Sequence, residues 1–382
     1  MSGLYVHVPF CLQKCAYCAF YSVPLADVHG GGPVEDYFEG LAAEIRLRQQ
    51  DTPFGVSSLF IGGGTPTALA PEGLERLLKM LVFSFEDIEA TSEANPGTIT
   101  PEKLRILREY GINRISLGAQ SFSDRLLKEI GRIHNAEAIR EAVRLIRLEG
   151  FNNLNLDLMF GLPGQDRKTW QESVEEALRL GPEHLSLYAL SLEAGTSLAT
   201  RYSLGQGKTS SRLPHLPDDD EQADMYEWAV ECLVRAGYSH YEVSNFALPG
   251  KECRHNLEIW RGKDYLGLGP GAVSTLGGVR WKNAEDLAVY GQRLRNGELP
   301  LMEVEHLSER ERMTERLLLG LRLSAGVSLE EFKQEFGQDL RDIYRDVLET
   351  YLQQKLLSIE ENRLRLNPRY IFTANAILQA FL

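Results

Sequence analysis

The sequence predicts an α/β fold, a parallel sheet wrapped by helices, with a small helical unit at the C-terminal end. Two observations predict the first part. Up to about residue 190, short β-branched runs at 4–8, 58–61, 89–94, 114–117, 154–160 and 184–190 alternate with longer segments. Those segments, at 36–50, 71–81, 101–110, 136–149 and 168–180, carry apolar residues at helical spacing. Tandem βα units of this kind build either a partial barrel or a doubly wound sheet. A third observation sets the C-terminal part apart: helical stretches crowd together after residue 302 and end in a polar turn between two short apolar runs.

Each element has a local reason. Pro71 and Pro101 stand where a first-turn proline fits a helix. The glycine-rich stretch from His29 to Pro33 reads as a flexible connection, and His29 receives no role. Residues 204–217, rich in Gly, Ser and Pro, read as a linker or mobile loop. Asp218, Asp219 and Asp220 then open a helix to about Arg235, where acidic side chains suit the N-terminus. A metal site there is the sharper alternative, but no oxygen-rich loop follows. Near the C-terminus, helices at about 308–323, 328–336 and 339–355 lead into 356–359, a turn at 360–362, and 364–366. Helices followed by a small hairpin resemble a winged helix. From Met302 onward the chain holds 11 Lys/Arg against 14 Asp/Glu, so a packing or lid role suits it better than reading DNA. The expected division is 1–203, 204–300 and 301–382.

Composition narrows the class. With 382 residues the chain exceeds one average domain and can bury a sizeable core. A formal charge of −13 argues against a nucleic acid or anionic membrane recognised by bulk charge. No apolar run reaches the ~18 residues of a spanning helix, and the N-terminus runs straight into a strand. Five cysteines, three of them clustered, suit a reducing compartment. The expectation is a cytoplasmic protein, with peripheral membrane contact left open.

The clustered cysteines carry the chemistry. Cys11, Cys15 and Cys18 follow the first strand at C-x3-C-x2-C spacing. Three thiolates on one loop can cover three irons of a 4Fe–4S cube and leave the fourth open. The alternatives are a zinc site or unpaired core cysteines. A structural zinc wants four closed ligands, and no second Cys/His pair follows at zinc-finger spacing. Gly62-Gly63-Gly64-Thr65-Pro66 follows the second strand. Glycines there let a ligand approach the backbone, though they also make ordinary βα turns. The Gly-Lys-Ser/Thr ending of a phosphate-binding loop is missing.

The pattern Tyr5-x-His7-x-Pro9-Phe10-Cys11-x3-Cys15-x-Tyr17-Cys18, followed by GGGTP, resembles the radical S-adenosylmethionine (SAM) superfamily. More narrowly it resembles the branch of anaerobic coproporphyrinogen III dehydrogenase and its HemW-type haem-chaperone relatives. Supporting motifs run along nearly the whole chain. They include Glu93-Ala-Asn-Pro-Gly97, the segment from Ile115 to Phe122, Asn155-Leu-Asp157 with Gly161-Leu-Pro-Gly164, and Glu242-Val-Ser-Asn-Phe246. Gly267 to Ala272 and Leu319 to Leu323 agree as well.

The resemblance implies a partial (β/α)6 barrel with the cluster at its mouth. There the methionine end of SAM chelates the open iron, and reduction yields a 5′-deoxyadenosyl radical. By position, it implies that Tyr5, Gly63 and Glu93 contact the cluster-bound SAM. Glu93 is chemically apt for the methionine ammonium. Tyr17, Gly64, Thr65, Gln120, Arg132 and Asp157 match positions lining the rest of the SAM or substrate pocket. Taken singly, Arg132 reads as well as a surface side chain and Asp157 as a helix cap. Occurring at successive strand ends, they are expected to form one site.

Two departures separate the relatives. The dehydrogenase has a fourth cysteine two places after the third, and here that position is Phe20. The segment from Arg254 to Trp260 resembles the H-N-x-x-[Tyr]-Trp motif of haem chaperones, with Ile259 in place of the tyrosine. The resemblance makes His255 the haem-binding candidate, the ordinary alternative being a satisfied loop histidine. Cys253 reads as a loop thiol, Cys232 as a small core hydrophobe, His7 as a structural hydrogen-bonder, and Tyr226 and Trp228 as helix packing. The expected protein is a haem carrier with a 4Fe–4S cluster and SAM, handing haem to client haemoproteins. The competing reading is an enzyme that decarboxylates coproporphyrinogen III.

Overall fold

The computed structural model describes residues 2–27, 32–51, 55–81, 88–205 and 213–382. His29 and much of the 204–217 linker lie outside the described residues. Strand β1 (Ser2–Val8) leads into two short strands of the cysteine loop, β2 (Phe10–Cys11) and β3 (Val23–Pro24), which pair with each other. Then come β4 (Val56–Gly63), β5 (Glu89–Ala94), β6 (Arg114–Gln120), β7 (Leu154–Phe160) and β8 (His184–Ala189). Together with β1 they form a parallel set in sequence order. The connecting helices are α1 (Gly32–Asp51), α2 (Pro71–Met80), α3 (Pro101–Glu109), α4 (Asp124–Glu129), α5 (Ala136–Leu148) and α6 (Arg167–Arg179).

Local chemistry starts these helices as the sequence predicts. Pro71 and Pro101 occupy the first turns of α2 and α3, and Thr100 accepts a hydrogen bond from Lys103 N. Asn135 and Asp166 cap α5 and α6 in the same way. The helices cover the outer face of the strands, where Ile115, Leu117, Leu156, Leu185 and Leu187 join the core. The inner face is polar: Arg114, Ser116, Asn155, Asp157 and Ser186 alternate with those apolar residues. That alternation distinguishes these strands from the continuous apolar runs of most parallel sheets.

The chain beyond β8 extends the sheet at both edges. It comprises α7 (Ser197–Gly205), α8 (Asp219–Arg235), β9 (Ser239–Glu242), β10 (Asn245–Ala247) and α9 (Arg254–Trp260). Then follow β11 (Tyr265–Leu268), β12 (Val273–Leu276), β13 (Val279–Asn283), α10 (Leu287–Arg295) and β14 (Leu301–His306). β10 and β9 add antiparallel to β8, while β11 pairs parallel with β1 and carries β12, β13 and β14 beyond it. The twelve-stranded sheet is open, with β14 and β9 at its two edges. These short antiparallel strands are absent from the sequence expectation, because runs of three to six residues carry little periodicity. Asp218 and Glu221 form a reciprocal capping box at the start of α8, so the acidic run there acts as a helix start.

The C-terminal elements are α11 (Glu309–Gly320), β15 (Val327–Ser328), α12 (Leu329–Phe336), α13 (Leu340–Ile343) and α14 (Arg345–Gln353). They end in the hairpin β16 (Leu357–Glu360) and β17 (Arg363–Leu366), followed by α15 (Ala374–Leu378). The single helix expected over 339–355 is divided at Tyr344, whose φ of −116° and ψ of 29° leave the helical region. Among the described residues no helix is long and apolar enough to cross a membrane.

One buried carboxylate ties the extension to the first helix. Glu44 on α1 accepts from Tyr290 OH at 2.7 Å, Asn283 Nδ2 at 2.7 Å and Gly269 N at 2.9 Å, and Arg48 lies one turn on. It is fully buried, and that burial raises its pKa. Glu44→Ala should therefore lower the unfolding free energy by roughly 3–5 kcal/mol, because several buried donors lose their acceptor together. A urea titration showing a change under ~0.5 kcal/mol would mean that this network adds nothing.

Candidate functional site: a cavity at the strand ends

The C-terminal ends of the parallel strands surround a cavity of about 550 Å³. Cys11, Cys15, Cys18 and Tyr17 form one wall, on the loop after β1. Gly63, Gly64 and Thr65 come from the end of β4 and just beyond it, Glu93 from β5 and Asn95 just after it, Gln120 from β6, and Asp157 from β7. Arg132 enters from the segment between α4 and α5. Two expected residues lie elsewhere. Tyr5 points its hydroxyl at His7 Nδ1, 3.0 Å away, and stacks on Phe60, so it stands behind the wall. His255 is buried on α9, outside the lining.

The cysteine loop is pinned from several sides. Ala16 N donates to Ile130 O at 3.0 Å, and Ala16 O accepts from Leu198 N at 2.8 Å. Side-chain contacts then form a circuit between two cysteines. Cys11 Sγ lies 3.6 Å from Thr65 Oγ1, which accepts from Asn95 Nδ2 at 2.6 Å. Asn95 Oδ1 accepts from Arg132 Nη1 at 2.8 Å, and the same nitrogen lies 3.5 Å from Cys15 Sγ. Arg132 Nη2 donates to Gly118 O at 3.0 Å, while its Nε is buried without a partner. Burial pushes the Cys11 and Cys18 thiols up, the cost of a charge in a poorly solvated place.

The carboxylates face the same space. Glu93 accepts from Gly63 N at 3.1 Å, yet burial and the neighbouring Asp157 raise its pKa to about 8. Asp157 accepts from Asn155 Nδ2 at 2.7 Å and is also raised, first by burial. Two acids with too little compensating charge suit a cationic ligand. Gln120 sits at φ +66°, a strained conformation for a non-glycine residue, just after a register shift between β6 and β7.

The glycines also answer to packing within the protein. A Cβ on Gly62 would meet the Glu93 carboxyl at 2.6 Å. On Gly63, at φ +100°, it would overlap the His7 ring, and on Gly64 it would lie 2.6 Å from Phe10 O. The missing side chains make room for other parts of the protein, and Gly63 and Gly64 line the cavity as well. His7 itself is held by its hydrogen bonds to Tyr5 and Tyr21 O, as expected of a structural histidine.

The sequence reading passed over several lining residues: Arg114, Ser116, Ser186, Phe60, Tyr188 and Asn256. The signal was available for three of them, as polar residues at alternate positions in buried strands. Arg114 is the deepest, 2% exposed, with its Nε unpartnered.

The α9 segment is built into the core instead of lying as a loop. His255 Nδ1 is 3.0 Å from Ser58 Oγ, and its ring stacks on Phe60 at 5.4 Å. Burial, then Arg114, lowers its pKa to about 4, so the imidazole is neutral at ordinary pH. Cys253 is fully buried at the N-cap of α9, and burial pushes its thiol up to about 12. Trp260 bonds to the Glu242 carboxylate and lies 5.6 Å from the Arg322 guanidinium. Cys232 and Trp228 pack half-buried against the core, and Tyr226 is buried within it.

Three sulfur donors, an orphaned buried guanidinium nitrogen and a carboxyl short of positive charge face one cavity, a donor set that fits an iron–sulfur cluster with a cationic ligand. Among the described residues, no three His, Cys, Asp or Glu side chains converge tightly enough to hold a single metal ion. An open βα sheet carrying this cysteine loop places the chain in the radical SAM class. The Radical SAM superfamily model matches residues 5–177, and the HemN C-terminal domain model matches 307–372. The chain is 36% identical to the haem chaperone HemW of Lactococcus lactis subsp. lactis over 384 residues, covering 100% of this chain and 97% of that protein. It is also 36% identical to HemW of Bacillus subtilis over 388 residues, covering 100% and 99%. The solved structure of coproporphyrinogen III oxidase (HemN) from Escherichia coli, a radical SAM enzyme, superposes with a TM-score of 0.84. It covers 99% of this chain and 89% of that one at 23% identity, which shows the shared fold. Within the radical SAM superfamily, the chain belongs to the HemW family. Membership implies a 4Fe–4S cluster and SAM.

Gly63→Ala tests the packing reading of the glycines. Forced overlap with His7 and the unfavourable φ should together cost roughly 2–4 kcal/mol. A thermal melt that matches wild type would show that the strand end has room to spare.

Proposed function

We propose that this protein is a haem chaperone: it binds haem, passes it to client haemoproteins, and carries a 4Fe–4S cluster and SAM. The observation that carries the reading is the full-length relationship to HemW proteins, together with Phe20 at the cavity mouth. Phe20 stands where the dehydrogenase has its extra cysteine, and it is 71% exposed. In this reading Cys11, Cys15 and Cys18 hold the cluster. When bound, cluster and SAM supply one-electron reduction of the SAM sulfonium. Glu93 would take the methionine ammonium. Arg132, held by Asn95 and Gly118, would present positive charge beside the cluster, and Asp157 and Gln120 would face the rest of SAM. Tyr5 would act through His7 and Phe60 and not by touching SAM.

The retained cavity residues favour a second reading, oxidative decarboxylation of coproporphyrinogen III. That reaction needs a propionate held at near-attack distance, since positioning decides whether a reactive cofactor does useful chemistry. His255 is the proposed haem ligand by motif. Its burial against Ser58 and Phe60 means that α9 must shift for iron to reach the imidazole.

The Glu93 assignment predicts a pH effect. With its pKa at about 8 in the free protein, Glu93 is mainly protonated at pH 7. An ammonium favours the ionised form, so binding expels a proton below pH 8. SAM affinity should rise by up to about tenfold per pH unit towards pH 8 and level off above it. Calorimetry of the cluster-loaded protein in buffers of different ionisation enthalpy reads the proton directly. Affinity and proton release that do not vary with pH would remove Glu93 from this role.

The carrier and enzyme readings part in one preparation. Anaerobically reconstituted protein should take up haem and release it to an apo-haemoprotein. With SAM and a strong reductant it should form no protoporphyrinogen from coproporphyrinogen III. Replacing Cys11, Cys15 and Cys18 together by Ala should remove the iron and sulfide. Multiple turnovers to protoporphyrinogen would make the enzyme reading primary.

A further inference from the structure

A second cavity, of about 540 Å³, lies away from the strand ends, between the last turn of α9, strands β11 to β13, and helices α11 and α12. Its volume is within the range of small-molecule sites. Part of the wall is apolar: Ile259, Leu307, Leu319, Phe336 and the ring of Tyr265. The rest is charged, with Lys263, Arg280, Arg312 and Arg316 against Asp264, Glu315 and Glu335.

The acids are already engaged. Glu315 receives both of its close contacts from Arg280 Nη2, at 2.6 Å each, and Asp264 accepts from Gly277 N at 3.1 Å. Glu335 reaches Arg316 at 3.6 Å. The cations are not used up. Lys263 and Arg312 make no ion pair among the described residues, and Arg312 lies 5.7 Å over the Phe336 ring. The Arg316 side chain is 8% exposed, its two carboxylate partners are both 3.6 Å away, and its Nη1 is buried with no hydrogen bond. In a chain of net charge −13, a partly apolar hollow edged by under-partnered cations is a local exception. Its chemistry matches a large apolar body carrying two carboxylates.

We propose that this cavity binds the porphyrin dicarboxylate, with the ring on the apolar wall and the propionates at Lys263, Arg312 and Arg316. The choice of porphyrin as occupant rests on the haem-carrier reading. The helix α9 links the two regions: Ile259 lines this cavity, and His255 lies one helical turn before it. Ile259 is the position at which the chaperone motif ordinarily has tyrosine. An aliphatic side chain there keeps that wall apolar. Recognition is through carboxylates and apolar contact, so it does not need the iron.

The test titrates full-length protein with haem, with iron-free protoporphyrin IX and with its dimethyl ester, following absorbance and fluorescence. Wild type should bind haem and protoporphyrin IX, and bind the ester at least roughly tenfold more weakly, as expected when charge-assisted hydrogen bonds are lost. The double variant Lys263→Glu and Arg312→Glu should lose a similar factor for the dicarboxylate but not for the ester. Both side chains are exposed, so its unfolding midpoint should match wild type. Ile259→Trp, which fills the hollow, should weaken all three ligands. Excess succinate should not displace the porphyrin. If wild type binds haem but the charge-reversed variant and Ile259→Trp bind equally well, the placement is wrong and the carrier reading stands. If wild type takes up neither haem nor protoporphyrin, the carrier reading itself fails.

Discussion

The guanidinium of Arg132 is the constraint on which the candidate site depends. It reaches Asn95 after β5, the Gly118 carbonyl in β6, and the sulfur of Cys15 on the first loop. Three pieces of chain distant in sequence are thereby held at one edge of the sheet. Such charge-assisted bonds contribute roughly 1.5–3 kcal/mol each where water is scarce. The Asn95–Thr65 contact then carries the restraint to β4 and to Cys11. A loop with three cysteines has many conformations, and this circuit selects those with the thiols facing the cavity.

The polar interior of the sheet serves a related purpose further in. Asn155 Nδ2 donates to Asp157, and Asn155 Oδ1 accepts from His184 Nδ1 at 2.7 Å. His184 Nε2 accepts from Tyr241 OH at 2.7 Å, and that oxygen accepts from Cys253 N at 3.3 Å. The chain of bonds runs from the cavity to Cys253, the N-cap of α9. Buried polar groups are costly unless satisfied, so this row fixes one arrangement of β7, β8, β9 and α9. Arg114 departs from the pattern: its Nε is buried without a partner, a cost that an apolar barrel core would avoid.

The junction with the C-terminal elements explains why motifs scattered over the last third of the sequence occur together. Glu242 comes from β9, Trp260 ends α9, and Arg322 follows α11. The indole bonds to the carboxylate while the guanidinium stacks over the ring. Val243 N also donates to Arg322 O at 3.1 Å, and Glu242 bridges to Leu323. The tryptophan of the chaperone-like motif is thus engaged by the protein itself. What the motif presents to the second cavity is Ile259.

The βα alternation, the helix starts and the cysteine loop were legible in the sequence. They depend on periodicity, capping residues and spacing, all of which act over a few positions. The resemblance placed Glu93, Gln120, Arg132 and Asp157 together, and parallel strands bring their ends to one edge, so these residues meet in one cavity. Tertiary structure alone decided which groups face outward from that common edge. Tyr5 is turned to His7 and stacks on Phe60 of β4, and His255 is locked against Ser58 and Phe60 of that same strand, so each is placed by a partner far off in sequence. The packing of the glycines at the end of β4 against Glu93, His7 and Phe10 was also decided there. The antiparallel wings, the depth of Arg114 and the second cavity were hidden for the same reason. Each arises from contacts between segments far apart in the chain, where local pattern carries no record of distance.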